Sequence, residues 1–347
     1  MDFSPDEGQQ AVADVVTSVL DRDNSWAALV AGGVPALAVP ERLGGDGVGL
    51  TEIATALTEI GRHGTVSPAL STLASAAVLL DLGSAAQQDR FLAGVAKGSV
   101  LTFALSEPGA SLPDRPATTL SGNRLNGTKV AVGYAGQADW IIVSAEDGVA
   151  IVSGDADGLT VTKTPTSNGS DEYVVSFVDV AVAGADVLEG AGPRRVNELV
   201  LAAIGATAAG LMAGALRLTA DYVATREQFG RPLSTFQTVA AQLSEVYIAS
   251  RTISLVATSV VWLLSQGASD DRVASSDVDD DLALLGYWLT SQAPPAMRTC
   301  HHLHGGMGMD ITYPMNRYYS SIKDLTRLLG GPSHRLDLVA ASTLAGA

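Results

Sequence analysis

The sequence holds a single cysteine, Cys300, in 347 residues. An intramolecular disulfide is therefore excluded, and the usage fits a reducing cytoplasm. Positive charge is also scarce: 21 Lys and Arg stand against 37 Asp and Glu, a formal net charge of -16. That balance argues against nucleic acid or an anionic membrane surface as a partner. It argues less strongly against one anionic ligand, which a few local arginines can serve. No charged-then-apolar leader opens the chain, so nothing suggests export. A G-x-S-x-G elbow is missing, and the glycine-rich PERLGGDGVGL at 40–50 lacks the Lys-Ser/Thr of a phosphate loop. It reads as a connector. No internal repeat or low-complexity segment stands out.

Hydrophobic residues make up 47 %, with Ala and Gly abundant, which favours closely packed helices. The length allows two or three domains with a sizeable core. One apolar run, 199–216, has Thr207 as its only polar side chain and approaches the minimum for crossing a bilayer. Ala and Gly dominate it, however, and Glu198 and Arg217 bracket it tightly. A helix apolar on all sides is what the centre of a bundle needs, and Gly205, Gly210 and Gly214 allow close approach of neighbouring backbones. The run is read as a buried bundle helix, with no membrane partner.

Ser4-Pro5-Asp6-Glu7 reads as a helix start, with Ser4 as the capping hydroxyl and Val12, Val15, Val16 and Val19 as one apolar stripe. Further helical patterns at 26–30, 51–61, 68–80 and 84–96 make 1–98 an N-terminal helical domain. Alternating, β-branched runs at 117–120, 124–132, 140–145, 149–153, 160–164 and 173–182 predict a small antiparallel barrel or sandwich over 99–190. Helical patterns at 194–227, 235–265, 282–303, 315–329 and from about Ser333 form a C-terminal bundle over 191–347. The acidic stretch 267–281 reads as a solvated loop, because an EF-hand's Gly and Glu do not fall in place. The fold class is α+β, mostly α.

Two stretches carry candidate chemistry. In TREQFGRPLSTFQ, 225–237, Arg226 and Phe229 lie three apart and share a face if helical. Gly230 and Pro232 then stop that helix, and Gln237 opens the next. A guanidinium, a ring and an amide near a helix end suit a ligand with both phosphate and a flat ring. A helix–turn–helix with a surface Arg and a core Phe fits the same letters. In HLHGGMGMDITYPMNR, 302–317, the preceding Cys300 and His301 each stand at helical spacing from His304. Only His63 and His334 remain elsewhere to complete a metal site, so no metal is expected.

Together these stretches resemble the acyl-CoA dehydrogenase family, with its R-x-x-F-G-x-x-x-x-x-x-Q and G-G-x-G…Y-P segments. PERLGGDGVGL and ALSEPGAS at 104–111 match in the same order, so the resemblance spans nearly the whole chain. It is nearest to the short, base-lacking subunits of heteromeric actinobacterial acyl-CoA dehydrogenases of steroid side-chain degradation. The resemblance implies a helical domain, a β domain and a helical bundle, and α,β-dehydrogenation of an acyl-CoA by FAD. It also implies that Arg226, Phe229, Gln237, Gly305 and Gly306 reach across a subunit interface to FAD in the neighbouring chain. His302 stands where the family often has Gln, and Ser106 keeps the hydroxyl of another flavin contact.

Other family positions are altered. The W-I-T/S-N turn that covers the flavin corresponds to Ala131, Val132 and Gly133. The catalytic carboxylate, 23 residues beyond Gly306, corresponds to Leu329; its alternative site, 26 residues before Arg226, is Val200. Leu201 replaces an Arg that supports CoA. Glu198 lies two residues from Val200, about 200° around a helix. The chain is therefore expected to be the non-catalytic partner of a paralogous subunit that carries the base, as an α2β2 assembly. An electron-transfer flavoprotein is the acceptor that the resemblance implies. A homomeric enzyme using Glu198 and a flavin-free scaffold remain as alternatives.

Overall fold

The computed structural model describes residues 4–266 and 275–345. The chain divides into two compact units: one comprises 6–56 and 67–203, the other 57–66 and 204–347, with the short N-terminal piece 1–5.

In the first unit the N-terminal helices are α1 (Glu7–Leu20), α2 (Trp26–Ala31), the start of α3 (Leu50–Arg62), α4 (Ala69–Leu82) and α5 (Ala85–Leu92). The start of α1 corrects the sequence expectation: Asp6, not Ser4, is the cap. Its carboxylate accepts the Gln9 N–H at 2.8 Å, and the Gln9 side chain accepts the Asp6 N–H at 3.0 Å. Two otherwise unmet donors are satisfied reciprocally, which Ser4 cannot offer from two residues upstream. Val12, Val16 and Leu20 are buried, whereas Val15 is 46 % exposed. The buried stripe is therefore narrower than the four valines suggest.

Two sheets follow. β1 (Leu101–Ala104), β4 (Trp140–Ala145) and β5 (Gly148–Ser153) form one, in the order β1-β4-β5. β2 (Thr119–Ser121), β3 (Arg124–Gly133), β6 (Leu159–Thr164) and β7 (Glu172–Ala181) form the other, in the order β2-β3-β7-β6. Pairing is antiparallel except between β1 and β4, which run parallel, a departure from the all-antiparallel expectation. The stretch between them is long enough for a crossover, which parallel pairing requires. Leu125, Val132, Ile141, Val143, Val175 and Phe177 lie in the shared apolar core. β3 carries a bulge between Lys129 and Val132, where Ala131 takes a φ of 55°.

The second unit is helical: the rest of α3, α6 (Pro193–Thr225) from Ile204 onward, then α7 (Gln237–Ser265), α8 (Ser275–Leu303), α9 (Met315–Leu328) and α10 (Gly331–Ala345). Between α6 and α7 lie the two-residue strands β8 (Glu227–Gln228) and β9 (Arg231–Pro232). α3 and α6 cross through glycine. A Cβ on Gly210 would sit 1.9 Å from the Thr58 carbonyl oxygen, and one on Gly61 would sit 2.3 Å from that of Thr207. Such backbone contact needs small residues on both helices. By length and composition α6 and α7 could each cross a membrane, but 89 % of the most apolar window of α6 is buried within the protein. A core helix passes the same test. Of the acidic stretch expected as a loop, 267–274 lie outside the described residues, while 275–281 already form the first turns of α8.

Candidate functional site

Arg226 and Phe229 do not share a helical face. α6 ends at Thr225, and the Arg226 N–H makes a last helical bond to the Tyr222 carbonyl at 2.8 Å. The chain then turns back as a hairpin in which Glu227 pairs with Pro232 and Gln228 with Arg231. Phe229 and Gly230 form its tip with φ of 55° and 79°. Positive φ at both central positions is the turn that matches strand twist, and Gly230 with Pro232 disfavours continuing the helix. Phe229 is a strained occupant, since a left-handed residue costs about 1–2 kcal/mol. It is nevertheless 93 % exposed, and its ring meets that of Phe236 edge-on with centroids 6.2 Å apart. Gln237 is the exposed first residue of α7.

The second stretch begins where α8 ends at Leu303 and continues as a 3-10 turn, Gly305–Met309. His304 joins the two and is almost fully buried. Its Nδ1 lies 2.8 Å from the Cys300 carbonyl, and its ring stacks on Tyr222 at 4.6 Å between centroids. Burial holds this imidazole below the usual histidine range, against the pull of the Cys300 carbonyl. Burial likewise pushes the Cys300 thiol up. Among the described residues no group of three His, Cys, Asp or Glu could hold a metal ion.

Arg226, His302, Gly305 and Gly306 come together in one open cleft of about 380 Å³, with Tyr222, Gln228, Leu233, Leu303, His304 and Met307 completing its lining. Phe229 and Gln237 do not line it. A Cβ on Gly305 or Gly306 would meet nothing, so the backbone there is bare to an approaching molecule. Tyr222 and Gln228 also line the cleft, though no motif in the sequence singles them out. Tyr222 was readable as the residue one helical turn before Arg226.

Ser106 belongs to the β-containing unit. Its Oγ accepts the Leu112 N–H at 3.2 Å, and both residues are buried. Asn197 of α6 holds the same loop, donating to the Leu112 and Pro113 carbonyls at 2.9 and 3.2 Å. Next to Ser106, Glu107 forms a buried ion pair with Lys129 at 2.8 Å and accepts the Ala117 and Thr118 N–H groups. At the turn expected to cover a flavin, a Cβ on Gly133 would come 3.0 Å from the Ser71 hydroxyl of α4.

The candidate base positions hold no acid. Leu329 is fully buried, and its carbonyl accepts the Arg335 Nε–H at 2.8 Å. Val200 and Leu201 are buried as well. Glu198 is engaged by Arg194 at 3.3 Å and Arg195 at 3.2 Å, and Arg195 also grips Asp81 at 2.9 Å.

Two family models match the chain: "Acyl-CoA dehydrogenase, N-terminal domain" over 2–99 and "Acyl-CoA dehydrogenase, C-terminal domain" over 202–344. The chain belongs to the acyl-CoA dehydrogenase family. Its members are FAD-dependent oxidoreductases that act on acyl-CoA thioesters in β-oxidation. The chain is 69 % identical to acyl-CoA dehydrogenase FadE28 of Mycobacterium tuberculosis over 98 % of each chain. It is 31 % identical to FadE27 of the same organism over 97 % of each. Among solved structures it resembles a chain of the ChsE4-ChsE5 complex from Mycobacterium tuberculosis, with TM-score 0.88, 26 % identity and 99 % of both chains covered. It equally resembles a chain of the Tcur3481-Tcur3483 steroid ACAD G363A variant, with TM-score 0.88, 29 % identity and 98 % of both covered.

Proposed function

We propose that the chain is the base-lacking subunit of a heteromeric, FAD-dependent acyl-CoA dehydrogenase. It supplies contacts to the nucleotide end of an FAD whose ring sits in a paralogous subunit carrying the catalytic carboxylate. One contrast carries this reading: Arg226, His302, Gly305 and Gly306 gather in an open cleft, while the expected base positions of the same chain hold buried Leu329 and Val200. The cleft fits a dinucleotide tail, offering a guanidinium for phosphate and bare backbone at a glycine pair. Exposed Phe229, Met307, Met309 and Ile311 support cover by another chain.

The fit at the ring end is poor. The Ser106 hydroxyl already holds the Leu112 loop, and Gly133 is pressed against α4. When bound, FAD supplies the acceptor for the β-hydride. This chain's share is to grip phosphate through Arg226, present the Gly305–Gly306 backbone and His302, and help close the site. Removal of the α-proton falls to a carboxylate of the partner. Glu198 is unsuited to that task because two guanidiniums already occupy it. The names of two solved neighbours, a steroid ACAD and a two-component complex, support a steroid CoA ester as substrate and a heteromeric assembly; the α2β2 stoichiometry and an electron-transfer flavoprotein as acceptor extend the proposal from the family resemblance. The compartment is the cytoplasm.

The test is a pair of variants in the co-purified complex. Arg226→Ala is expected to lower FAD retention about tenfold or more, the loss of one charge-assisted contact. Glu198→Gln is expected to leave turnover within about twofold, as for a surface-type ion pair. Full flavin retention in the first, or collapse of turnover in the second, would contradict the proposal.

A further inference from the structure

The two halves of the cleft come from chain segments far apart in sequence, and the glycine pair has no side chains to fix it. The Gly305 backbone has a φ of 56°, and neither glycine has a neighbour within 4 Å of where a Cβ would stand. Its position must therefore come from what flanks it. On the C-terminal side Gly308 is buried and packs close to the His301 carbonyl, 2.7 Å from its would-be Cβ. On the N-terminal side stands His304.

We infer that Tyr222, His304 and Tyr313 form an aromatic stack that positions the Gly305–Gly306 backbone against Arg226. Tyr222 belongs to the arginine half: its carbonyl receives the Arg226 N–H at 2.8 Å, so the two residues are one turn apart on the same helix end. Its ring lies 4.6 Å from the His304 ring at an interplanar angle of 25°. Its hydroxyl donates to the His304 carbonyl at 3.4 Å, at the peptide that leads into Gly305. Tyr313, beyond the glycine turn, contacts His304 with centroids 5.3 Å apart and planes at 56°. The Cys300 carbonyl fixes the imidazole at 2.8 Å. Tyr222 thus touches both halves, through a ring face and through a hydroxyl.

The role of each side chain is separable. The ring face sets the spacing between the halves, the Tyr222 hydroxyl sets the tilt of the His304 peptide, and Tyr313 keeps the imidazole from swinging away from Tyr222. None of the three is a catalytic residue; they are positioning residues. The inference rests on the cleft's being the nucleotide clamp.

The experiment titrates FAD into the flavin-stripped complex for wild type and for Arg226→Ala, His304→Ala, His304→Phe and Tyr222→Leu, with thermal unfolding of each. An aromatic pair contributes about 0.5–1.5 kcal/mol, so His304→Ala and Tyr222→Leu are expected to weaken FAD binding by about two- to tenfold. His304→Phe restores a flat ring and is expected to bind within about twofold of wild type. Should His304→Ala fail to fold, Tyr222→Leu against His304→Phe carries the same comparison. If Arg226→Ala loses FAD while both stack-breaking variants bind it normally, the stack is overturned and the clamp stands. The stack is also overturned if His304→Phe binds as weakly as His304→Ala. If Arg226→Ala itself binds FAD normally, the clamp fails and the stack's role goes with it.

Discussion

Lys129 has no measurable solvent exposure, yet it carries an ammonium group. Three acceptors hold it: Glu107 at 2.8 Å, the Ser144 hydroxyl at 3.0 Å and the Leu105 carbonyl at 3.2 Å. Burial lowers the lysine from its usual range, and Glu107 pulls it back. For Glu107, burial pushes upward, but hydrogen bonds from Lys129, Thr118 and Ala117 outweigh it and bring the carboxyl from 4.5 to about 2. A carboxyl depressed on folding stabilises the native state above its unfolded value. That contribution fades as pH falls from about 4.5 to about 2. Acid titration of stability is expected to show this loss in wild type and to lack it in Glu107→Gln. Lys129→Met removes the only cation the structure pairs with the Glu107 carboxylate among the described residues and is expected to cost about 3–5 kcal/mol, with the double variant recovering part of it in denaturant unfolding.

A leucine at 329 states directly that no base stands there, whatever the fold. The letters were silent on Glu107, because its pairing joins the turn after β1 to Lys129 of β3, a long-range contact that spacing alone does not reveal.

The hairpin between α6 and α7 is the element where local pattern misled. Arg226 and Phe229 at helical spacing follow a long helix, so the helical period is the natural extension. Gly230 and Pro232 instead favour a two-residue turn, and the strained Phe229 at its tip has no cue in the period. Asn-Gly is the pair such a turn prefers. Phe229→Asn is therefore expected to raise the stability of the isolated chain, by up to about 1 kcal/mol in thermal or denaturant unfolding. Under the proposed assembly, the same variant is expected to weaken association with the partner, because it removes an exposed ring. Greater stability with unchanged assembly would remove that role.

The remaining elements were largely legible. α6 was readable as a core helix because charge flanks it and glycine recurs where α3 crosses. The β runs were readable from alternation, but the parallel pairing of β1 with β4 was not, since strand order is set by packing. The start of α8 was missed because its first turns are acidic and small, a composition shared with loops.

On the scale of the whole molecule, the chain keeps the architecture of its family but distributes its chemistry unevenly. One unit gathers a cleft around Arg226 and the glycine pair. The other fills the region around Ser106 with its own loop, pinned by Asn197. Under the proposed function, a second polypeptide supplies the proton acceptor and the site of the flavin ring. Purification of the chain alone and with a base-bearing homologue from the same organism, followed by the visible absorbance of flavin, tests that division most directly. A colourless protein alone and a yellow complex that oxidises an acyl-CoA are expected. A yellow, active preparation of the chain by itself would contradict it.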